Sequence, residues 1–374
     1  MNLGFTGQAL ITEAVTVDEA TKSQISEFFS DSEVVTGHLE TTVLPNNPAY
    51  PFKDRTCHFT KLKTLSILKE LGLTHLNLAG NHAFDLGPAG INATLAGLND
   101  LGLIAVGAGA DQDSACQPTL TCSGEETCAI WGRDAGPQSD LVYASVAHAP
   151  LQARPGIAGL RVERTLQVDQ LGAEQLYRIN RRTGYAEWAK LRAQIGYDDN
   201  PTQQRFYGIP FYQGDQCLDR YVVKESDMRD LETRLAHTKA TQHIIHLHQH
   251  HWGDDWFTSP SWVLDIGKSL VDAGFSVVAI TGNPRVHRIY RYRHGLILSG
   301  LGGLIFHTRR EASYDESVWH GQLVRIESDR DIIQRIKVMQ IEVCGPPKSN
   351  RKLKAGTTQA FLFNELPTLD DQGR

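Results

Sequence analysis

The fold is decided by residues 75–88, HLNLAGNHAFDLGP, where a short apolar run gives way to a glycine and a cluster of polar side chains. The run predicts a buried strand, and the apolar spacing over residues 88–101 predicts a helix. Asn81, His82 and Asp85 therefore follow the carboxyl end of a strand, where open α/β sheets build their sites. These side chains suit a cation or a phosphate-like anion. They equally suit a turn in which Asn81 and Asp85 cap the following helix.

Strand and helix alternate on both sides of this stretch, which indicates an α/β layered fold. Apolar runs predict strands at Leu3–Phe5, Glu33–Thr36, Leu103–Val106, Ile244–Leu247 and Phe275–Ile280. Amphipathic spacing predicts helices at Val17–Phe29, Thr60–Leu71 and Pro260–Ala273. Residues 322–344 predict a closing antiparallel pair. We expect one domain over residues 1–345, with insertions near 110–132 and 147–219, and a polar tail over 346–374.

Composition excludes several classes of partner. The chain has 374 residues, 37 Lys and Arg against 43 Asp and Glu, and a formal charge of −6. This balance argues against binding to nucleic acid or to an anionic membrane surface. No apolar run approaches the ~20 residues of a membrane span. The six cysteines, with no secretory signal, predict free thiols, and we expect a cytoplasmic protein.

Histidine is unusually frequent, with 15 in the chain and five of them within residues 243–251. On a strand, His246, His248 and His250 share one face, and His251 falls in the following turn. Imidazoles two residues apart at a strand end are a common way to present nitrogen ligands to one metal. We therefore predict metal or oxyanion binding here, with a structural role for His246, which lies deepest in the strand.

Other strand ends carry similar side chains. Glu40 follows the strand at 33–36, and Asn283 and His287 follow the strand at 275–280. Glycines at 300–303 follow another short apolar run and indicate close approach of the backbone. Because open α/β folds collect such ends in one crevice, we expect these groups to meet.

These blocks, in this order, resemble the CapA family of poly-γ-glutamate capsule-synthesis proteins, whose fold is that of the calcineurin-like metallophosphatases. Residues 81–87, NHAFDLG, match the family's Asn-His-x-x-Asp-x-Gly pattern closely. Leu39-Glu40 matches a second motif, and residues 248–253, HQHHWG, match a histidine-rich motif in either of two registers. The resemblance covers about residues 3–306 and implies a four-layered α/β/β/α sandwich with a metal-centred crevice. In family terms it carries over Glu40, Asn81, His82 and either His248 or His250. For the metal itself we predict ligation by Glu40, Asn81, His248 and His250.

The chain also departs from the family pattern. Gly7-Gln8 stands where the family usually has Gly-Asp, and His38 replaces an asparagine. Residues 281–285 lack the histidines usually found there, and Gly302-Gly303-Leu304 replaces Gly-Asn-Phe. At Gln8, a neutral amide therefore replaces a carboxylate that would ligate or bridge a metal. We expect one divalent transition ion, Zn, Mn or Fe, rather than two.

The first functional hypothesis is a metal-dependent hydrolase that cleaves a phosphoester or an amide, such as a γ-glutamyl bond. In this hypothesis the metal polarises the substrate, and His82, paired with Asp85, protonates the leaving group. The substrate is a small anionic or γ-glutamyl compound. We assign contacts with it to Gln8, His38, Arg55, His251 and His287, with Arg133 and Arg285 as further candidate anion clamps.

Two alternatives stay open. One is a non-catalytic protein of poly-γ-glutamate synthesis that binds an anionic polymer or partner enzymes. The other is a specialised biosynthetic enzyme, amide-forming or a lyase, on the same scaffold, because one fold supports many reactions.

Overall fold

A computed structural model describes residues 1–47, 49–53, 56–197, 203–250, 255 and 257–369. The strands, in chain order, are β1 (Leu3–Leu10), β2 (Val34–Leu39), β3 (Thr42–Val43), β4 (Phe59–Thr60), β5 (His75–Asn77), β6 (Ile104–Val106), β7 (Ala108–Gly109), β8 (Thr119–Ser123), β9 (Glu126–Asp134), β10 (Gly156–Ile157), β11 (Val162–Val168), β12 (Arg205–Phe206), β13 (Ile209–Gln213), β14 (Leu218–Val223), β15 (Gln242–His248), β16 (Val277–Thr281), β17 (Ile289–Tyr292), β18 (Gly295–Leu298), β19 (Gly303–Phe306), β20 (His320–Asp329), β21 (Ile332–Glu342) and β22 (Lys354–Leu362). The helices are α1 (Glu19–Phe28), α2 (Ser66–Glu70), α3 (Gly87–Asp100), α4 (Gln112–Cys116), α5 (Gln170–Arg182), α6 (Tyr185–Gln194), α7 (Glu225–His237) and α8 (Ser261–Ala273).

Two sheets form the centre of the larger unit of the fold. The first has the order β22-β21-β20-β1-β2-β5-β6, and β19 also pairs with β1. Strands β19, β1, β2, β5 and β6 are parallel, whereas β20 to β22 form an antiparallel extension. The second sheet has the order β17-β18-β16-β15-β9-β8, with its four middle strands parallel.

Apolar side chains define four layers. One cluster lies between the sheets and joins Leu3, Phe5 and Val34 of the first sheet to Ile244 and Val277 of the second. A second cluster packs α1, α2 and α3 on the other face of the first sheet. Helix α8 covers the outer face of the second sheet, where it contacts β16 and β18. Each sheet thus buries both faces, and the predicted α/β/β/α sandwich is confirmed.

The strands and helices predicted from the apolar pattern are present, with small differences at their ends. The predicted helix at 60–71 begins as a 3-10 turn, Leu62–Leu65, and continues as α2. The predicted pair at 322–344 is the hairpin of β20 and β21. Residues 110–132, expected as an insertion, contain α4 and a hairpin whose strand β9 lies beside β15 within the second sheet. The buried run Cys128–Trp131 explains why β9 lies inside the sheet.

The segment 346–374 differs from the polar tail that we expected. Its strand β22 pairs with β21 at the edge of the first sheet, and Leu353, Leu366 and Leu369 are buried. The backbone of Leu369 donates a hydrogen bond to Arg291 of the second sheet, at 2.9 Å. An edge strand keeps much of its surface in water, which explains its polar composition.

The chain divides into two compact units, Met1–Arg161 with Ser226–Arg374, and Val162–Glu225. The smaller unit has its own sheet, in the order β12-β13-β11-β14, together with α5 and α6. Its core joins Val168, Ala173 and Phe211. Much of the predicted insertion at 147–219 is therefore a folded unit. Among the described residues, no helix has both the length and the apolar character that crossing a membrane requires.

Candidate active site

Several strand ends meet at a cavity of about 230 Å³ in the larger unit. Gln8 comes from β1, Glu40 from the loop after β2, and Asn81 and His82 from the loop after β5. His250 follows β15 of the second sheet. The cavity therefore draws its walls from both sheets, as expected for strand ends that gather in one crevice.

A group suited to a metal lies at this cavity. The ligand atoms of Glu40, His248 and His250 all lie within 4.8 Å of one another. Asn81 adds an amide oxygen, because its Oδ1 lies 3.1 Å from Nε2 of His248. Two imidazoles with a carboxylate and an amide oxygen form a donor set that suits Zn, Mn or Fe. The residues thus fit the divalent ion that the sequence implies.

Glu40 is buried and keeps an oxygen available for such an ion. Its side chain is only 4% exposed, its Oε1 lies 3.6 Å from Nε2 of His250, and its Oε2 has no hydrogen-bond partner among the described residues. Burial alone would raise the pKa of Glu40. The contact with His250 and the nearby charges of His82 and His38 outweigh burial and lower the pKa to about 2. The group is therefore a carboxylate at neutral pH.

His248 is held in a fixed orientation. Its Nδ1 lies 3.0 Å from Oγ1 of Thr281, and its ring stacks on His38 with centroids 4.2 Å apart. Burial lowers its pKa well below the usual value, with smaller contributions from neighbouring histidines. A neutral imidazole is the form that binds metals, and the partner of Nδ1 leaves Nε2 toward Asn81 and the metal group.

His38 supports this orientation from behind. It is fully buried and its Nδ1 accepts a hydrogen bond from Nδ2 of Asn77 at 3.0 Å. Burial lowers the pKa of His38 to about 4. A Cβ atom at Gly80 would lie 2.5 Å from the His38 ring and 3.2 Å from the His248 ring. The glycine is therefore required for the two rings to approach the loop after β5.

His82 and Asp85 form a hydrogen-bonded pair beside the metal group. Nδ1 of His82 lies 2.7 Å from Oδ2 of Asp85, which also accepts the backbone N–H of His58 at 2.7 Å. Nζ of Lys53 lies 3.2 Å from the other carboxylate oxygen. Because Asp85 is fully buried and held by these contacts, it fixes the His82 tautomer with a proton on Nδ1. The other ring nitrogen, Nε2, is then left to contact a ligand in the cavity that His82 lines.

The remaining predicted residues have varied positions. Gln8 lines the cavity, and its Oε1 accepts the backbone N–H of Gly282 at 3.0 Å. His38 lies behind His248, outside the cavity wall. His287 is bonded instead to Oγ of Ser259, at 2.7 Å. Arg55 and His251, also predicted to contact substrate, lie outside the described residues.

Two arginines that we considered as anion clamps are engaged elsewhere. Arg133 is buried and donates to the carbonyls of Gly132 and Cys116, each at 2.9 Å. Arg285 pairs with Asp315 and lies over the ring of Phe257 at 4.1 Å. Both therefore have structural contacts that account for their positions.

Sequence reasoning missed several groups near the site. His58 and the pair Arg309 and Arg310 line the cavity. Burial raises the pKa of Asp134 to about 6, despite a hydrogen bond from Tyr143; it ends β9 in register with His248. Asp134 is the last residue of β9, and the arginines follow β19, so the strand-end rule that found Glu40 also applied to them. His58 precedes the two-residue strand β4 and carried no comparable signal.

Comparisons with known proteins identify the family. The model for the family described as bacterial capsule synthesis protein PGA_cap matches residues 5–308, so the chain belongs to that family. The predicted CapA resemblance is thereby confirmed. Over 87 residues, the chain is 36% identical to a capsule biosynthesis protein CapA of Bacillus anthracis, which is 23% of this chain and 21% of that protein.

Longer matches are found in Sinorhizobium fredii (strain NBRC 101917 / NGR234). The uncharacterized proteins y4sH and y4uA are each 24% identical to this chain over 292 residues, or 76% of its length. The match spans 61% of the length of each relative. Among solved structures, a hypothetical protein from Thermus thermophilus aligns with a TM-score of 0.46 and 11% identity, covering 91% of this chain and 99% of its own. A novel phosphatase from Mycoplasma pneumoniae aligns with a TM-score of 0.43 and 10% identity, covering 97% of this chain and 92% of the phosphatase.

Proposed function

We propose that this chain is a metal-dependent hydrolase that cleaves a phosphoester or an amide bond. One observation carries the proposal: the group Glu40, His248 and His250 adjoins a cavity that is also lined by His82, whose partner is Asp85. Ligand atoms beside a positioned acid are the parts that metal-assisted hydrolysis needs.

Glu40, His248 and His250 would hold the ion, with Asn81 as a fourth donor. When bound, a divalent ion supplies positive charge that polarises a substrate oxygen. Glu40 contributes a negative charge because it stays ionised, and His248 contributes a neutral nitrogen because burial opposes its protonation. Thr281 and His38 keep the His248 ring in place.

His82 supplies the proton. Its protonated ring gives the Nε2 proton to the departing nitrogen or oxygen, while Asp85 holds the Nδ1 proton and stabilises the charged ring. A bond forms from water oxygen to the carbonyl carbon or phosphorus, and the bond to the leaving atom breaks. The proton released by that water restores His82, so each turnover consumes one water.

A small anionic or γ-glutamyl compound is the substrate that we propose. Membership of the capsule-synthesis family supports this class, and the formal charge of −6 does not favour a nucleic acid. We place the protein in a reducing compartment such as the cytoplasm, an assignment supported by its six free cysteines.

The first test is the metal content of protein purified without a histidine tag or chelator. Elemental analysis is expected to find about one equivalent of a transition metal in the wild type and in His82→Ala. The His248→Ala/His250→Ala double variant is expected to lose it. The exposed His294→Ala is the control and is expected to keep it. Absence of metal from the reconstituted wild type would contradict the proposal.

The second test is activity on 4-nitrophenyl phosphate, bis(4-nitrophenyl) phosphate and γ-glutamyl-4-nitroanilide. The wild type is expected to hydrolyse at least one, and His82→Ala is expected to lose about 10²-fold or more in kcat. A tightly bound metal without activity on any of them would favour the specialised biosynthetic enzyme. Binding of poly-γ-glutamate that survives both chelation and His82→Ala would favour the polymer-binding alternative.

A further inference from the structure

We propose that Arg309 and Arg310, with His58, form an anion subsite in this cavity that binds a carboxylate or phosphate on the departing half of the substrate. The subsite makes the hydrolase selective for substrates whose leaving group is itself anionic. This inference rests on the proposed function for the terms "substrate" and "leaving group", but the binding of the anion is independent of turnover.

The first support is the position of the two arginines. They follow β19 and line the same cavity as His82 and Glu40. Both are exposed, and among the described residues neither guanidinium has a carboxylate within ion-pair distance. Elsewhere in the larger unit, Arg285 and Arg325 each have one. Two adjacent guanidinium groups facing a cavity without a protein counterion present ten N–H donors in forks that match carboxylate and phosphate oxygens.

The second support is the side of the cavity on which Arg309 lies. Its charge acts on His58 and Cys57, and the His58 ring packs edge-on against His82 with centroids 4.4 Å apart and an interplanar angle of 72°. The charge of Arg310 instead acts on Tyr314, where it lowers the pKa that burial and Glu40 raise. Because His82 gives its proton to the leaving atom, Arg309 is next to the departing half of the substrate.

The third support is an unpaired polar atom on His58, which lines the same cavity. His58 is only 8% exposed, yet its Nδ1 has no hydrogen-bond partner among the described residues. Its backbone N–H holds Asp85 at 2.7 Å, which fixes the loop in place. Leaving a buried ring nitrogen unpaired costs free energy. A bound anion that accepts an N–H from His58 removes this cost and joins the ring to the two guanidinium groups.

The carboxylates beside the subsite have partners other than its arginines. Asp85 already has His82, Lys53 and the His58 backbone as partners. Glu40 lies against His250. Neither Asp85 nor Glu40 forms an ion pair with either arginine, and the positive charge of Arg309 and Arg310 is available to a ligand.

Binding of inorganic phosphate and of glutarate, measured by isothermal titration calorimetry, tests the subsite directly. The probe that binds more tightly identifies whether phosphate or carboxylate is preferred. We expect Arg309→Ala/Arg310→Ala to weaken that binding at least tenfold, and Arg309→Lys, which keeps the charge but loses the fork, to fall between this variant and the wild type. Arg164→Ala/Arg335→Ala is the charge-matched control, because it removes two exposed arginines that pair with Asp219 and Glu327 on the surface. Equal affinity in the wild type and the double variant, or no binding of either anion to the wild type, would overturn the subsite.

A matched pair of substrates tests the assignment to the departing half. The γ-glutamyl amides of 4-aminobenzoate and of aniline differ only in a carboxylate on the leaving amine. The double variant is expected to lose at least tenfold more kcat/KM on the 4-aminobenzoate amide than on the aniline amide, mainly through KM. Equal losses on both would overturn the assignment. If the wild type cleaves neither amide nor any phosphoester, the proposed function fails, while the calorimetric result still decides the anion subsite.

Discussion

At Gly80 the backbone passes so close to the His38 ring that no side chain fits. A Cβ atom there would lie 2.5 Å from two ring atoms of His38, which in turn stacks on His248. The absence of a side chain at Gly80 therefore allows the loop after β5 to lie this close to the metal group.

The variant Gly80→Ala is expected to displace His38 and, through it, His248. Metal affinity should fall at least tenfold, in the range found when groups that orient metal ligands are disturbed. The free energy of unfolding should fall by about 1–3 kcal/mol because of overpacking. Metal titration and urea denaturation measure the two effects. Unchanged metal affinity would show that the stack does not position His248.

Asp85→Asn separates the proton donor from the metal group. The amide keeps the shape of the side chain but removes the charge that stabilises protonated His82 at 2.7 Å. We expect kcat to fall by roughly 10²–10⁴, with metal content unchanged and KM altered only a few-fold. Steady-state kinetics and elemental analysis of the same preparation check this. Loss of metal in Asp85→Asn would instead make Asp85 part of the metal group's support.

At the scale of elements, β5 and β8 are joined by a buried histidine. Nε2 of His75, in the first sheet, lies 2.9 Å from Oγ1 of Thr121 in the second, and Nδ1 lies 2.7 Å from Oγ1 of Thr74. Burial lowers the pKa of His75 to about 4. Between this value and the ordinary value near 6.5, the unfolded chain binds a proton that the folded chain does not.

Stability should therefore decline as pH falls from about 6.5 toward 4, and the contribution of His75 between pH 7 and pH 5 is about 2 kcal/mol. The variant His75→Gln cannot titrate. Its loss of unfolding free energy between these two pH values should be smaller than that of the wild type by about this amount. Urea denaturation at both pH values separates titration from any constant cost of the substitution. An identical pH dependence in both proteins would contradict the expectation.

The same scale explains what the sequence could predict. Apolar runs located the central strands because parallel strands buried on both faces keep few polar residues, and their ends pointed to Glu40, Asn81, His82 and His248. Strand β22 was not predicted because an edge strand is mostly polar and lacks an apolar run. His58 was not predicted as a site residue because its role depends on packing against His82. The spacing of 24 residues between them carries no periodic signal. The strand-end rule also reaches Arg309 and Arg310 after β19. It does not distinguish an arginine that binds a ligand from one with a structural partner, because tertiary contacts decide that.

At the scale of the whole molecule, the polypeptide leaves the larger unit after Arg161 and returns to it at Ser226. The contacts of Arg161 show that these two positions are close together. The backbone N–H of Arg161 donates to Oδ2 of Asp227 at 2.8 Å, and its Nη2 lies 2.6 Å from Oδ1. Residues 162–225 are therefore inserted between two positions that are already in contact. The larger unit contains both sheets and every described residue that lines the 230 Å³ cavity.

Replacing residues 162–225 by a flexible Gly/Ser linker of about four residues should leave the larger unit folded. The shortened protein is expected to keep about one equivalent of metal and a cooperative unfolding transition. Elemental analysis and thermal denaturation by circular dichroism test this. Aggregation or loss of metal on excision would show that the smaller unit is needed for the larger one to fold.

The metal group draws Glu40 and Asn81 from the first sheet and His248 and His250 from the second. An ion held there is a bond between the two sheets, so its binding energy adds to the stability of the sandwich, about 4 kcal/mol when the free ion exceeds its Kd a thousandfold. In a cell starved of that ion, the population of opened molecules would rise, and proteases act on opened molecules. The supply of the ion would thus set the lifetime of the protein as well as its activity.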